Sequence, residues 1–187
     1  MHRKLPALAV LAVAVLPAQA VAAPTPTSSS FGGAVAKQIA PPTTTPAPEV
    51  AGEQAELTPK GLAVAPASAP QEVKDIIAAG NKIAKKPYKY GGGHARVVDT
   101  GYDCSGSVSY ALLKAGLLSS PLDSSGFMRW GERGRGAWVT IRSNPGHAYM
   151  IVAGLRFDTS AAKVGGSRWT EEMRSARGYR GTHPVGF

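Results

Sequence analysis

The chain has 187 residues, a formal net charge of +9 and a single cysteine. This length accommodates one domain with tails, and one cysteine excludes an intramolecular disulfide and any zinc site built on two or more thiolates. The charge suits an anionic partner but does not distinguish nucleic acid, membrane and cell-wall polymer. We predict no metal site and no cofactor, because the four histidines are not closely paired in the sequence.

Residues 1–23 are predicted to be a secretory signal peptide. A basic start is followed by an apolar run over 5–16 and by small residues that allow cleavage after Ala20 or Ala23. The alternative is a transmembrane anchor, but the run is shorter than the ~20 apolar residues that cross a bilayer. We therefore expect a chain that is secreted or held in the cell wall, with no membrane span after cleavage.

Residues 24–70 are rich in Pro, Thr and Ala. Nine of the 15 prolines lie in 21–70, whereas 12 of the 13 aromatic residues lie in 71–187. A segment with so few bulky apolar side chains buries too little apolar surface to offset the conformational entropy lost when it is ordered. The sequence therefore predicts a disordered linker over 24–70 and one folded domain over 71–187.

Helical patterns come first in the domain. The helical segments are predicted over residues 71–85, 104–115 and 121–130. Asp103 is a suitable N-cap for the second helix, and Gly116 is a suitable stop.

The hydrophobic period then changes to two. Strands are predicted over residues 137–141, 147–153, 155–159 and 179–183, with a short helix over 170–176. Helices followed by antiparallel strands indicate an α+β fold.

Cys104 is a candidate catalytic nucleophile. It lies in the first turn of the second predicted helix, where unpaired backbone N–H groups and the helix dipole favour a thiolate. The alternative is a buried structural cysteine, although the polar and small flanking residues argue against it.

His147 is the candidate general base, and Asp158 the candidate group that orients it. A two-residue turn after the strand of His147 would put Asp158 on the same face of the sheet, one pair away on the diagonal. A three-residue loop would reverse this parity and leave Asp158 as a surface carboxylate. Nucleophile, base and orienting carboxylate together are the arrangement of a cysteine hydrolase.

Three segments of the chain resemble the NlpC-type cell-wall cysteine peptidases, the NlpC/p-sixty family. The matching segments are Pro87-Tyr88-Lys89-Tyr90-Gly91-Gly92, Gly101-Tyr102-Asp103-Cys104-Ser105-Gly106 and Gly146-His147. The resemblance implies a papain-like α+β fold with the nucleophile helix packed on a small antiparallel sheet. It implies hydrolysis of peptidoglycan stem peptides, typically between D-γ-glutamate and the diamino acid.

The resemblance also implies roles for single residues. Cys104 matches the nucleophile and His147 the base, and Tyr88 matches a tyrosine that is a candidate oxyanion donor. Asp103 and Ser105 match positions that contact the substrate peptide in some members. The third polar residue of the family is often His, whereas here the nearest candidate is an aspartate.

Other functions remain open on the sequence alone. A silent wall-binding domain could use the basic residues between 129 and 135 on anionic cell-wall polymers, and a related thiol amidase or acyltransferase could share the same site residues. No nucleic-acid motif is present. His94 follows three glycines and is interpreted as an exposed loop residue rather than as part of the site rim.

Overall fold

The computed structural model describes residues 48–187. The predicted signal peptide and residues 24–47 of the predicted linker lie outside this range. The helices within it are α1 (Gln71–Ile83), α2 (Cys104–Lys114), α3 (Ser124–Phe127) and α4 (Thr159–Gly165). The strands are β1 (Glu49–Val50), β2 (Glu56–Leu57), β3 (Ala63–Pro66), β4 (Glu132–Arg133), β5 (Val139–Asn144), β6 (His147–Val152), β7 (Leu155–Phe157), β8 (Trp169–Thr170) and β9 (Arg180–His183).

An antiparallel sheet of six strands forms one side of the hydrophobic core. Its order is β4-β9-β5-β6-β7-β8, and β5 pairs with β6 along its whole length, from Val139 opposite Val152 to Asn144 opposite His147. Most side chains of these two central strands are buried because helices cover them. His147 therefore opens a strand at the end of the sheet nearest the β5–β6 turn.

Two helices cover this sheet and pack on each other. α1 contacts α2, and α2 contacts β6. The buried core includes Ile76 from α1, Leu112 from α2, and Ile141 and Met150 from the sheet. This confirms the predicted α+β class, in which the helix that begins with Cys104 packs on an antiparallel sheet.

The linker prediction is wrong for the part of it that the structure describes. Strands β1, β2 and β3 form a second small sheet, and the alanines of β3 are buried against α1. The Asn81 side chain donates to and accepts from the backbone of Ala63, at 2.8 and 2.9 Å. Alanine methyl groups fill space close to a helix without needing bulky side chains, so residues 49–66 belong to the folded unit despite their composition.

The turn between β6 and β7 has two residues, as one of the predicted registers requires. Val152 pairs with Leu155, and the turn residues Ala153 and Gly154 both have positive φ, 45° and 88°. A two-residue turn of this kind matches the twist of the flanking strands. The even-numbered residues after it therefore face the same side as His147.

The chain after β7 differs from the sequence prediction. The helix is α4, which begins at Thr159 with Asp158 as its N-cap, and no helix forms over 170–176 in the described part of the chain. Residues 169–170 instead pair with β7 as β8. Asp158 supplies a helix cap, whereas the acidic pair Glu171 and Glu172, which suggested the later helix, is exposed.

Within residues 48–187, no helix combines the length and apolar character that a membrane crossing requires.

Candidate active site

Cys104 is the first residue of α2 and is half-buried. Asp103 caps this helix, because its Oδ1 accepts a 2.7 Å hydrogen bond from the Gly106 N–H. The backbone N–H of Cys104 lies in the first turn, where an α-helix provides no acceptor. The thiol therefore sits beside the positive end of the helix and beside a free backbone donor.

Glycines allow the loop before α2 to pack directly against its first turn. A Cβ on Gly106 would overlap the carbonyl oxygen of Gly92, and a Cβ on Gly92 would overlap that of Gly101. The Gly92 carbonyl also accepts from the Asp103 N–H at 3.2 Å. These contacts fix the position of Cys104 and explain why both matching segments contain glycine.

His94 belongs to this wall of the site rather than to an exposed loop. Its Nε2 lies 3.0 Å from Asp103 Oδ1 and 3.3 Å from Ser105 Oγ, and its side chain is half-buried. Asp103 Oδ2 accepts from the Gly91 N–H at 3.0 Å. Sequence reasoning missed His94, although the glycines before it were a signal that the loop returns closely across α2.

His147 and Asp158 meet on the facing wall. His147 Nε2 lies 2.9 Å from Asp158 Oδ1, and the Asp158 side chain is fully buried. The same oxygen accepts from the Ser160 N–H at 2.8 Å, so Asp158 both caps α4 and binds the imidazole. The carboxylate only accepts hydrogen bonds, which makes Nε2 the protonated ring nitrogen.

Arg174 completes this wall and was not identified from the sequence. Its guanidinium donates to Asp158 Oδ2 at 3.0 Å and lies over the rings of Tyr149 and Tyr179, 5.3 and 5.2 Å from their centroids. The two rings meet edge to face. The sequence predicted a helix over 170–176, and a helix gave no reason to place Arg174 near Asp158. In the structure the chain after β8 is irregular and brings Arg174 back to the sheet.

The charges of the site support one another. Burial lowers the pKa of His147, but the hydrogen bonds to Asp158 and Cys104 outweigh burial and raise the pKa to about 9. Burial also opposes the thiolate of Cys104, yet hydrogen bonds with His147 and with the Ala148 backbone leave the pKa of Cys104 below its ordinary value. The pKa of Asp158 is lowered by the same imidazole and by the Ser160 backbone, against the effect of burial. The thiolate of Cys104 and the imidazolium of His147 thus each stabilise the charged form of the other.

Two cavities adjoin this pair. The first, of about 440 Å³, is lined by Cys104, His94, Ser105 and residues of α3 and the β5–β6 turn, and we call it the cysteine-side cavity. The second, of about 340 Å³, is lined by His147 and Arg174 and is called the histidine-side cavity. Tyr88 lines both. Burial and the nearby Cys104 raise the pKa of Tyr88, so its hydroxyl stays protonated and able to donate.

Arg168 is a third residue that sequence reasoning missed, after His94 and Arg174. It is buried and donates to Ser107 Oγ on α2 at 3.0 Å. It also donates to the carbonyl of Ile83, the last residue of α1, and to that of Lys86 just beyond it, both at 2.6 Å. It also donates to the Tyr102 carbonyl at 3.1 Å, just before the helix of Cys104. One guanidinium thereby ties the end of α1, the start of the Tyr88 segment and the start of α2 together.

The site therefore contains five of the six residues singled out from the sequence in two facing groups, with the sixth, Tyr88, between them. Asp103, Cys104 and Ser105 lie on one wall, and His147 and Asp158 on the other. Within residues 48–187, no three His, Cys, Asp or Glu side chains are grouped so that they could hold a metal ion.

Comparisons with known proteins give structural likenesses but no match in sequence. No protein-family model matches the chain, and no curated protein is significantly similar to it in sequence. Among solved structures, the chain is similar to the P60 domain of an antigen from M. avium subspecies paratuberculosis, with a TM-score of 0.46 and 18% identity. That similarity covers 60% of this chain and 94% of the P60 domain.

Proposed function

We propose that this protein is a cysteine peptidase of the NlpC type that hydrolyses peptide bonds in peptidoglycan stem peptides. The observation that carries the proposal is the His147–Asp158 contact of 2.9 Å beside a cysteine whose pKa is lowered by that same histidine. A buried structural cysteine needs neither a charged partner nor a cavity beside its thiol. The arrangement is suited to nucleophilic attack on an amide carbonyl.

The reaction follows from the positions of the protons. The Cys104 thiolate attacks the amide carbonyl carbon, and a carbon–sulfur bond forms as the carbonyl oxygen takes up negative charge. The His147 imidazolium then gives its proton to the amide nitrogen, the carbon–nitrogen bond breaks, and the amine half leaves. His147, now neutral, takes a proton from water, which attacks the thioester and releases the acid half and the thiolate. Nε2 is held by Asp158, so Nδ1 is the ring nitrogen that exchanges these protons.

Two donors are available for the oxyanion. The Cys104 backbone N–H lies in the unpaired first turn of α2, and Tyr88 lines both the cysteine-side and the histidine-side cavity. Donors fixed before the reaction stabilise developing charge at no cost of reorganisation. We assign them jointly to this task.

The substrate class is supported by the residues that resemble the NlpC-type peptidases. Tyr88, Asp103 and Ser105 line the cysteine-side cavity together with Cys104. This is the side that would receive the acid half of the substrate, and we propose the bond between D-γ-glutamate and the diamino acid as the one cleaved. The predicted signal peptide would bring the enzyme to its polymer outside the cell, and the net charge of +9 would favour an anionic wall.

The test is incubation of the chain without residues 1–23 with purified peptidoglycan and with soluble muropeptides, followed by mass spectrometry of the products. The proposal expects new fragments whose mass places the cut after D-γ-glutamate, and none with Cys104→Ala. Binding to the wall without any fragments, by the unaltered protein, would support a silent wall-binding domain instead. Release of intact stem peptides from the sugar would indicate an amidase.

A further inference from the structure

The histidine-side cavity carries positive charge and no acidic lining residue among the described residues. Arg174 and Lys163 line it together with His147, Thr159 and Tyr179. The nearby carboxylate of Asp158 is fully buried, and both of its oxygens already accept hydrogen bonds, from the His147, Ser160 and Arg174 groups. It therefore cannot serve as the partner of a cationic ligand in the cavity.

The reaction determines which half of the substrate lies there. The group that protonates the leaving nitrogen must lie within hydrogen-bond reach of it. This group is His147, which lines the histidine-side cavity and not the cysteine-side cavity. The amine half of the substrate therefore occupies the space between His147, Lys163 and Arg174.

Arg174 is held in place before any substrate arrives. One nitrogen, Nη1, donates to Asp158 Oδ2, and the guanidinium plane is held over Tyr149 and Tyr179. About a third of the side chain nevertheless remains exposed. A guanidinium has five N–H groups in a rigid fork, so one edge can bind the carboxylate of Asp158 while another faces the cavity.

We propose that the histidine-side cavity is a binding site for a carboxylate on the amine half of the substrate, with Arg174 and Lys163 as the residues that recognise it. This inference rests on the proposed function and adds the substrate feature that the site selects. A carboxylate bound by Arg174 would also lie close to the residue that orients His147, because Arg174 contacts Asp158 directly. Recognition of the amine half would thus be coupled to the group that protonates it.

The experiment uses two tripeptides that contain the same scissile bond. The tripeptide acid is L-alanyl-γ-D-glutamyl-meso-diaminopimelate, and the tripeptide amide has both carboxyl groups of its diaminopimelate converted to amides. Unaltered protein should cleave the acid with a kcat/KM about tenfold higher, the size expected for a hydrogen bond to a charged group. The difference should lie mainly in KM and should shrink as salt is added, because the charges are partly exposed.

Substitutions of Lys163 and Arg174 test whether these two residues cause the preference for the acid. Lys163→Gln should lower kcat/KM for the acid about threefold, as for an exposed ion pair, and should have a smaller effect on the amide, which lacks the carboxylates. Lys114→Gln is the matched control, since it removes the same charge at the far end of α2, about 15 Å along the helix from Cys104. This control should leave both substrates unchanged.

Arg174→Lys separates recognition from a merely structural role. A lysine keeps the charge but loses the planar fork, whose separate edges can hold Asp158 and a ligand carboxylate in fixed geometry, so it should bind the ligand carboxylate less well. If Arg174 recognises the carboxylate, the ratio of acid to amide should fall towards one. If it only positions Asp158, both substrates should slow equally and the tenfold ratio should survive.

The outcomes keep the two proposals apart. Equal cleavage of acid and amide by the unaltered protein overturns the carboxylate site and leaves the peptidase intact. A preference for the acid that survives in both Lys163→Gln and Arg174→Lys also overturns the site. Failure to cleave either tripeptide, or any muropeptide, overturns the proposed function, and this inference with it.

Discussion

The two walls of the site are built on the same small unit, an aspartate that caps a helix and binds a histidine. Asp103 caps α2 and lies 3.0 Å from His94 Nε2, whereas Asp158 caps α4 and lies 2.9 Å from His147 Nε2. In each pair the same carboxylate oxygen, Oδ1, accepts from the backbone N–H that it caps and contacts the histidine Nε2. The local geometry alone does not distinguish a structural pair from a catalytic one.

The difference lies in what surrounds each pair. The second oxygen of Asp103 accepts from the backbone N–H of Gly91, whereas the second oxygen of Asp158 accepts from the guanidinium of Arg174. The ring of His94 contacts the Ser105 hydroxyl, and the ring of His147 faces the Cys104 thiol. The first pair therefore fixes a loop against a helix, and the second pair sets the charge of a base. The predictions below separate these two functions.

The largest effect on activity is expected at Cys104, the nucleophile whose thiolate is stabilised by His147. Cys104→Ser should reduce kcat/KM by at least about thousandfold, since a hydroxyl is not ionised where the thiol is. The fold should persist, because Ser differs from Cys by one atom in a half-buried position. Steady-state rates on a muropeptide, with thermal unfolding as the control, measure this. A variant that retains near-normal turnover would exclude covalent catalysis by Cys104.

Asp158→Ala should lower kcat/KM by roughly a hundredfold, the scale of a misplaced acid–base group. It removes the acceptor for His147 and the cap of α4, and it leaves Arg174 without its carboxylate. Asp158→Asn should retain more activity, because its amide oxygen can still accept from Nε2, while its NH₂ group faces Arg174.

The matched control is Asp123→Ala, which removes the cap of α3 without touching either histidine. Asp123 also lines the cysteine-side cavity, so the substitution should cost about 1 kcal/mol of folding stability, as for loss of a helix cap, and should change KM rather than kcat. If Asp158→Ala behaves like this control, losing stability but not turnover, then Asp158 is a structural cap and some other group orients His147.

The pH profile tests the charge of the second pair. The pKa of His147 is raised to about 9, so the imidazolium that protonates the leaving amine is lost as the pH rises through that value. The rate should fall about tenfold per pH unit above it. The midpoint of the acid limb, where the Cys104 thiolate is protonated, should lie at a pH below the ordinary thiol pKa of 9.0, because the pKa of Cys104 is lowered. The two limbs belong to the coupled pair rather than to either residue alone.

Asp158→Asn sharpens this test. The carboxylate favours the protonated ring, so its loss should lower the pKa of His147 and move the alkaline limb towards neutral pH. Measurement of kcat/KM between pH 5 and about 10 on one defined peptide decides it. An alkaline limb that does not move with this substitution would mean that Asp158 does not set the charge of His147.

The sequence predicted the second pair because the pair depends on local rules. A strand period of two and a two-residue turn are sufficient to put Asp158 beside His147, and the observed pairing of Val152 with Leu155 confirms that register. The helix of Cys104 was likewise predicted from its cap and its glycine stop. Both depend on neighbours within a few residues of one another.

The features that sequence reasoning missed depend on contacts between distant segments. Strands β1, β2 and β3 join the fold because β3 packs on α1, where Asn81 binds the Ala63 backbone. Neither contact is visible in a Pro- and Ala-rich composition. Arg174 reaches the site through an irregular segment with no period of its own. His94 reaches it because three glycines permit a close return of the loop, a signal that the sequence contains but that does not indicate which residue is brought back.

The smallest effect is expected at His94, and it tests the comparison directly. His94→Gln removes the ring but keeps a side-chain amide that can donate to Asp103, so the loop over α2 should stay in place. Because His94 lines the cysteine-side cavity, KM should change by a few-fold, about the effect of one hydrogen bond, while kcat and both limbs of the pH profile stay unchanged. His147→Gln, the same substitution in the other pair, should abolish turnover, since glutamine cannot carry a proton to the leaving amine. If the two variants instead lose activity to a similar extent, or if His94→Gln shifts the alkaline limb, both histidines take part in proton transfer, and the division between a structural wall and a catalytic wall is wrong.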